Sequence, residues 1–119
     1  MEFRKVDAQA GTKIEYMSPE LLFLGQSGQP YRGTLYVHFT SKGESFDLLD
    51  FKKYITSLRS VTLTAENIAY EIYQKIQKNV DVDALGIIVD LTARGGIQQR
   101  ICFGEDFTPV KKQKFFQVH

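Results

Sequence analysis

The chain offers few side chains able to start covalent chemistry. It has one thiol, Cys102, and two histidines, His38 and His119. A cysteine nucleophile needs a nearby base or cation to hold it as thiolate. Cys102 instead alternates with Ile101 and Phe103, the setting of a small buried hydrophobe. One cysteine and two histidines fall short of the ligand number and spacing that zinc takes, so no metal site is expected. His38 stands on the polar phase of an alternating run with no acid beside it, which reads as a surface or interface residue. Glu66 is more informative. It opens an apolar stripe, where the amides of a helix start favour a carboxylate, and both a binding role and simple helix-end electrostatics satisfy the sequence. Thr92-Ala93-Arg94-Gly95-Gly96 would present Arg94 and free amides to an anion, but lacks the spacing of a phosphate loop. Lys111-Lys112-Gln113-Lys114 with Phe115 and Phe116 reads as a solvated tail with an aromatic docking point.

Composition narrows the classes. A chain of 119 residues is most simply one domain, burying roughly two thirds of its unfolded surface. Hydrophobic content of 43% with 24% charged residues is globular, and no run approaches the roughly 20 apolar residues that span a bilayer. Fifteen basic and fourteen acidic side chains leave a net charge of +1, so neither nucleic acid nor a membrane is an expected partner. The polar start MEFRKVDAQAGTK is no secretory signal, and with a single cysteine this points to the cytoplasm.

The elements that must position these residues follow from hydrophobic period. Residues 1–12 are polar and mixed in charge, which predicts a mobile arm before a single domain over 13–119. Ile14–Phe23 predicts a strand, with Pro19 suited to an edge or a bulge. Thr34–Thr40 alternates Leu35, Val37 and Phe39 with polar partners, a half-buried strand. Phe51, Tyr54, Ile55 and Leu58 form one stripe of a helix over Asp50–Arg59. Thr62 and Thr64 offer N-caps for a second helix, striped by Ala65, Ile68, Ile72 and Ile76 and ending near Asn79. Ala84–Leu91 and Ile97–Phe103, separated by Arg94-Gly95-Gly96, predict a hairpin. The fold class is thus α+β in the order ββααββ, with a four-stranded antiparallel sheet and two helices on one face. Two open sheet edges predict an oligomer.

Between the first two strands, LFLGQSGQPYRGTL packs Gly25, Gly28, Pro30 and Gly33 against apolar runs. This is either plain chain reversal or the frame of a binding site.

Gly28-Gln29-Pro30, Thr34-Leu35-Tyr36, Ser57-Leu58-Arg59, Glu66 and Arg94-Gly95-Gly96-Ile97, in this order and spacing over about residues 16–100, resemble the 7-cyano-7-deazaguanine reductase family, nitrile reductases of queuosine biosynthesis. The resemblance implies the tunnelling fold, in which subunits pair sheet edges into a ring and planar heterocycles bind between neighbours. It implies that Glu66 anchors the donor edge of a purine-like ligand, with Ser57, Leu58 and Arg59 beside it. It also implies a nicotinamide cofactor, NADPH, at the remnant motif Asp47-Leu48-Leu49-Asp50-Phe51-Lys52-Lys53-Tyr54, so that Asp47, Lys52, Tyr54 and Arg94 are cofactor candidates. One motif lysine is Leu49 here, and Asp50 adds a negative charge where cofactor phosphates would lie.

The family's catalytic set departs further. Its nucleophile opens a Cys-Pro-x-Thr-Gly-Gln-Pro-Asp run, and here Leu24-Gly25-Gln26-Ser27-Gly28-Gln29-Pro30-Tyr31 stands in its place. Leu24 replaces the thiol, Tyr31 the acid, and Ala65 the histidine before the anchoring glutamate. Attack on a nitrile to form a thioimide needs a thiolate and a proton donor, and leucine supplies neither. The expected function is therefore a tunnelling-fold homo-oligomer, a ring or stacked rings, binding a purine-like ligand of 7-deazaguanine or pterin type without thioimide chemistry. The alternatives are an enzyme of the 7-deazaguanine pathway, including an NADPH-dependent reductase, and an oligomeric interaction module with a vestigial pocket.

Overall fold

In a computed structural model that describes residues 2–109, apart from the Arg94 side chain, the chain forms eight elements. They are β1 (Lys5–Asp7), β2 (Lys13–Leu24), β3 (Pro30–Ser41), β4 (Glu44–Phe46), α1 (Leu48–Ser57), α2 (Ile68–Asn79), β5 (Val82–Arg94) and β6 (Ile97–Gly104). The run Lys111–Lys114 with its two phenylalanines, and His119, lie outside the described residues.

Strands β2, β3, β5 and β6 pair antiparallel in that order, and the two helices share one face. The alternation explains which face. Leu35, Val37 and Phe39 of β3 and Ile87, Val89 and Leu91 of β5 point to the helices and are buried. Against them pack Phe51, Ile55 and Leu58 from the first helix and its extension, and Ile68, Ile72 and Ile76 from the second. The last three are fully buried, as a stripe at helical spacing requires. Asp47 caps α1, its Oδ2 accepting from the Asp50 amide at 3.0 Å, so the helix starts at Leu48 rather than Asp50.

Pro19 meets both conditions open to a strand proline. It lies on the edge strand β2, where the register against β3 shifts between Ser18 and Leu21. The β5–β6 turn places Gly95 at φ 58° and Gly96 at φ 81°, a pair of left-handed angles that glycine adopts without cost.

Three expectations need correction. Residues 2–12 are not a free arm: β1 pairs with β4, the Phe3 ring is buried against Phe46, Phe51 and Tyr54, and Arg4 pairs with Asp50 at 2.9 Å and Asp47 at 3.3 Å. A lone phenylalanine in a charged stretch carries no period, and its partners lie far along the chain. Cys102 is exposed, because Ile101 and Phe103 take the helix side of β6 and leave the thiol on the opposite face, across from Ile88. Thr64 does not cap α2. It precedes a 3-10 helical turn, Ala65–Asn67, that leads into the helix and receives no side-chain cap bond.

Candidate functional site

The bend after β2 and the approach to α2 are joined by backbone. The Leu24 amide donates to the Val61 carbonyl at 3.0 Å, and the Leu63 amide to the Leu24 carbonyl at 2.8 Å, a short parallel bridge. Leu24, at the start of the bend, is thereby set beside Val61–Leu63, the segment that leads on to Thr64 and Glu66. The bend is closed by two further bonds, Gly25 N–H to Gln29 O at 2.7 Å and Gly28 N–H to Gly25 O at 2.9 Å. Gly25 leaves room for two side chains of the bend, which a larger residue would have to displace. A Cβ there would fall 2.7 Å from the Gln29 carboxamide and 2.8 Å from the Tyr31 ring. The Tyr31 ring stacks on Phe23, centroids 5.1 Å apart, and Leu24 is half-buried.

Across the bridge, Ala65 is buried and Glu66 is exposed. Among the described residues nothing forms an ion pair or hydrogen bond with the Glu66 carboxylate. Two buried side-chain oxygens of the same segments, Gln29 Oε1 and Thr64 Oγ1, make no hydrogen bond among the described residues either. A carboxylate at the start of a helical turn is electrostatically at ease there even without a partner.

The other candidates scatter. Ser57 donates its hydroxyl to the Tyr54 carbonyl at 2.6 Å, Leu58 is buried in the core, and Arg59 projects from the turn that follows α1. Asp47 is engaged in capping α1 and in the ion pair with Arg4. Asp50 is held by the Arg4 guanidinium and by the Arg4 amide, which bring its carboxyl down to about 2. Tyr54 is 7% exposed, packed among Phe3 and Phe51, and burial followed by the charge of Glu71 pushes its phenol well above the usual range. Lys52 is exposed on α1. Arg94 pairs with Ile97 through the backbone across the β5–β6 turn.

Two features escape sequence reasoning. One is the Arg4–Asp50 clamp, which no local pattern signals. The other is a cleft of about 330 Å³ between the bulged part of β2 and α1, lined by Tyr16, Met17 and Pro19 on one side and Leu48, Lys52 and Arg59 on the other. Among the described residues no group of three or more metal-ligating side chains is gathered, and no helix there is long and apolar enough to cross a membrane.

The fold of the archaeosine synthase QueF-Like, solved in the apo form, matches this one with a TM-score of 0.70 at 14% identity, covering 86% of this chain and 99% of that one. This supports the tunnelling fold. The chain is 31% identical over 72 residues to the NADPH-dependent 7-cyano-7-deazaguanine reductase of Sulfurimonas denitrificans, covering 60% of this chain and 58% of that protein. It is 34% identical over 71 residues to the protein of the same name from Rickettsia prowazekii, covering 60% of this chain and 25% of the relative. The matched stretch thus spans less than two thirds of either relative. The family described as QueF-like protein matches residues 30–108, which include Tyr31, Ala65 and Glu66 and leave Leu24 outside. The chain therefore belongs to the QueF-like protein family.

Proposed function

We propose that the protein binds a purine-like ligand, of 7-deazaguanine or pterin type, at the junction of two subunits, and that it does not form a thioimide on a nitrile substrate. The observation that carries this is Glu66: an exposed carboxylate without a partner among the described residues, three residues beyond the segment bridged to the bend. Facing the adjacent N–H donors of a guanine-like edge, it would make charge-assisted hydrogen bonds of about 1.5–3 kcal/mol each. The second subunit is part of the proposal: Glu66 is exposed in the single chain, and β2 and β6 leave unpaired sheet edges at which another copy would pair.

Thioimide chemistry is set aside on chemical grounds. Leu24 has no nucleophilic atom to attack the nitrile carbon, and Ala65 cannot carry a proton. A nicotinamide cofactor fits the residues poorly. Asp47 and Asp50 put two acids at the start of α1, both engaged by Arg4, while Tyr54 is sealed in the core. The names of the relatives, NADPH-dependent reductases, favour the alternative of a reductase or another reaction in the same pathway.

The test is a thermal-shift and titration series with 7-cyano-7-deazaguanine, guanine and a pterin, with and without NADPH. A ligand that binds only the folded chain raises its melting temperature with concentration. We expect binding without NADPH oxidation, and at least a ten-fold loss of affinity in Glu66→Gln. Turnover by pure protein would favour the enzyme reading, and no shift with any compound would favour the interaction module.

A further inference from the structure

The segment 47–54 poses a puzzle. Asp47 is spent on capping, Asp50 on Arg4 and Tyr54 on the core, yet Lys52 stands free on the outer side of the same helix. Its surroundings suggest a use. Leu48 and Lys52 are one helical turn apart on α1, and Arg59 extends their row, so that the three form one wall of the cleft. The facing wall is β2 around Pro19, where its register against β3 shifts between Ser18 and Leu21. The floor is apolar, with Phe51 and Ile55 beneath.

The charges at the rim are unequal. Lys52 and Arg59 make no ion pair or hydrogen bond among the described residues, and Glu20 is the acid that lines the same cleft. A volume of about 330 Å³ is at the small end of the roughly 300–1,000 Å³ range of ligand sites. Such a space suits one ring or a short acyl chain, with an anionic head reaching the cations. Apolar surface below and two unpaired cations above form an arrangement that neither a bare cation nor an uncharged sugar would match.

We propose that the cleft between α1 and the β2 bulge binds a small amphipathic anion, its apolar body on Phe51 and Tyr16 and its carboxylate or phosphate between Lys52 and Arg59. The site is separate from Glu66, which does not line it. It gives Lys52 a role that the failed match to a dinucleotide leaves open.

Calorimetric titration of the full chain with octanoate, octyl phosphate, octylammonium and inorganic phosphate tests this. The expected result is one octanoate or octyl phosphate per chain, at least ten-fold weaker binding of octylammonium, and no measurable binding of phosphate alone. The better of the two anions identifies the head group. Charge reversal by Lys52→Glu with Arg59→Glu, both at exposed positions, should weaken the anions at least ten-fold and reverse the preference toward octylammonium. Thr56→Trp, placed to fill the cleft from the helix side, should abolish binding of either sign while the protein stays folded by circular dichroism. Equal affinity for octanoate and octylammonium, anion binding indifferent to the charge reversal or to Thr56→Trp, or no binding of either anion would overturn the proposal.

Discussion

Two stretches of this chain, both singled out by the resemblance to the reductases, are built differently. At the Leu24–Tyr31 bend and the Glu66 turn, the backbone is closed by its own hydrogen bonds and the exposed carboxylate is left without a partner. At Asp47–Tyr54 the two acids are taken up by Arg4 and the tyrosine ring has joined the core, while Lys52 stays exposed. A polar group that the fold does not use remains open to a ligand, whereas one already satisfied must break a native contact before it can bind anything. We read the first region as the candidate site, and the Arg4-held acids and Tyr54 of the second as scaffold, with Lys52 left to the separate cleft.

The largest effect expected from this contrast lies in the scaffold. Phe3→Ala should cost about 3–5 kcal/mol in urea unfolding, because it empties an aromatic cluster of Phe46, Phe51 and Tyr54. A loss under about 0.5 kcal/mol, the scale of an ordinary surface change, would return the N-terminal residues to the status of a loose arm. Glu66→Gln should act the other way round: its stability cost is that of a helix-end charge, about 0.3–1 kcal/mol, while ligand affinity falls at least ten-fold. Unchanged affinity in a folded variant would erase the contrast.

The smallest effect is the most specific. The Asp50 carboxyl sits at about 2 against an ordinary 3.8, so its ionised form is favoured by folding. The stabilisation is then complete above about pH 4 and is lost as pH falls toward 2. Arg4→Met should flatten this acid limb, and only modestly, since the Arg4 side chain is 69% exposed and water screens the pair. Superimposable acid-unfolding curves for the two proteins would show that the clamp does not act through charge.

Much of the fold is legible in the residues. A period of two marks β3, a β-branched run marks β5, a stripe at i, i+3, i+4, i+7 marks α1, and Ile68, Ile72 and Ile76 mark α2. What escapes is whatever depends on one residue meeting another from a distant segment. Phe3 has no periodic neighbours, and β1 and β4 are three residues each, too short to show a pattern. Cys102 reads as buried because alternation gives the two faces of an edge strand but not which of them is covered. At the site, the position of Glu66 is readable from helix-start chemistry. Its freedom from internal partners is not, since that depends on where every other cation ends up. The cleft beside Lys52 is invisible for the same reason, its walls coming from β2 and α1.

Pro19 also bears on how the molecule keeps company with itself. An incoming chain that meets β6 finds an edge strand of eight residues, but at β2 it meets a prolyl interruption with no amide to offer and a local change of register. Indefinite edge-to-edge stacking, the geometry of fibrils, requires both margins of a sheet to accept strangers equally well. At β2 the margin lacks one amide and shifts register, features by which edge strands disfavour such stacking, and the same stretch of strand lines the cleft.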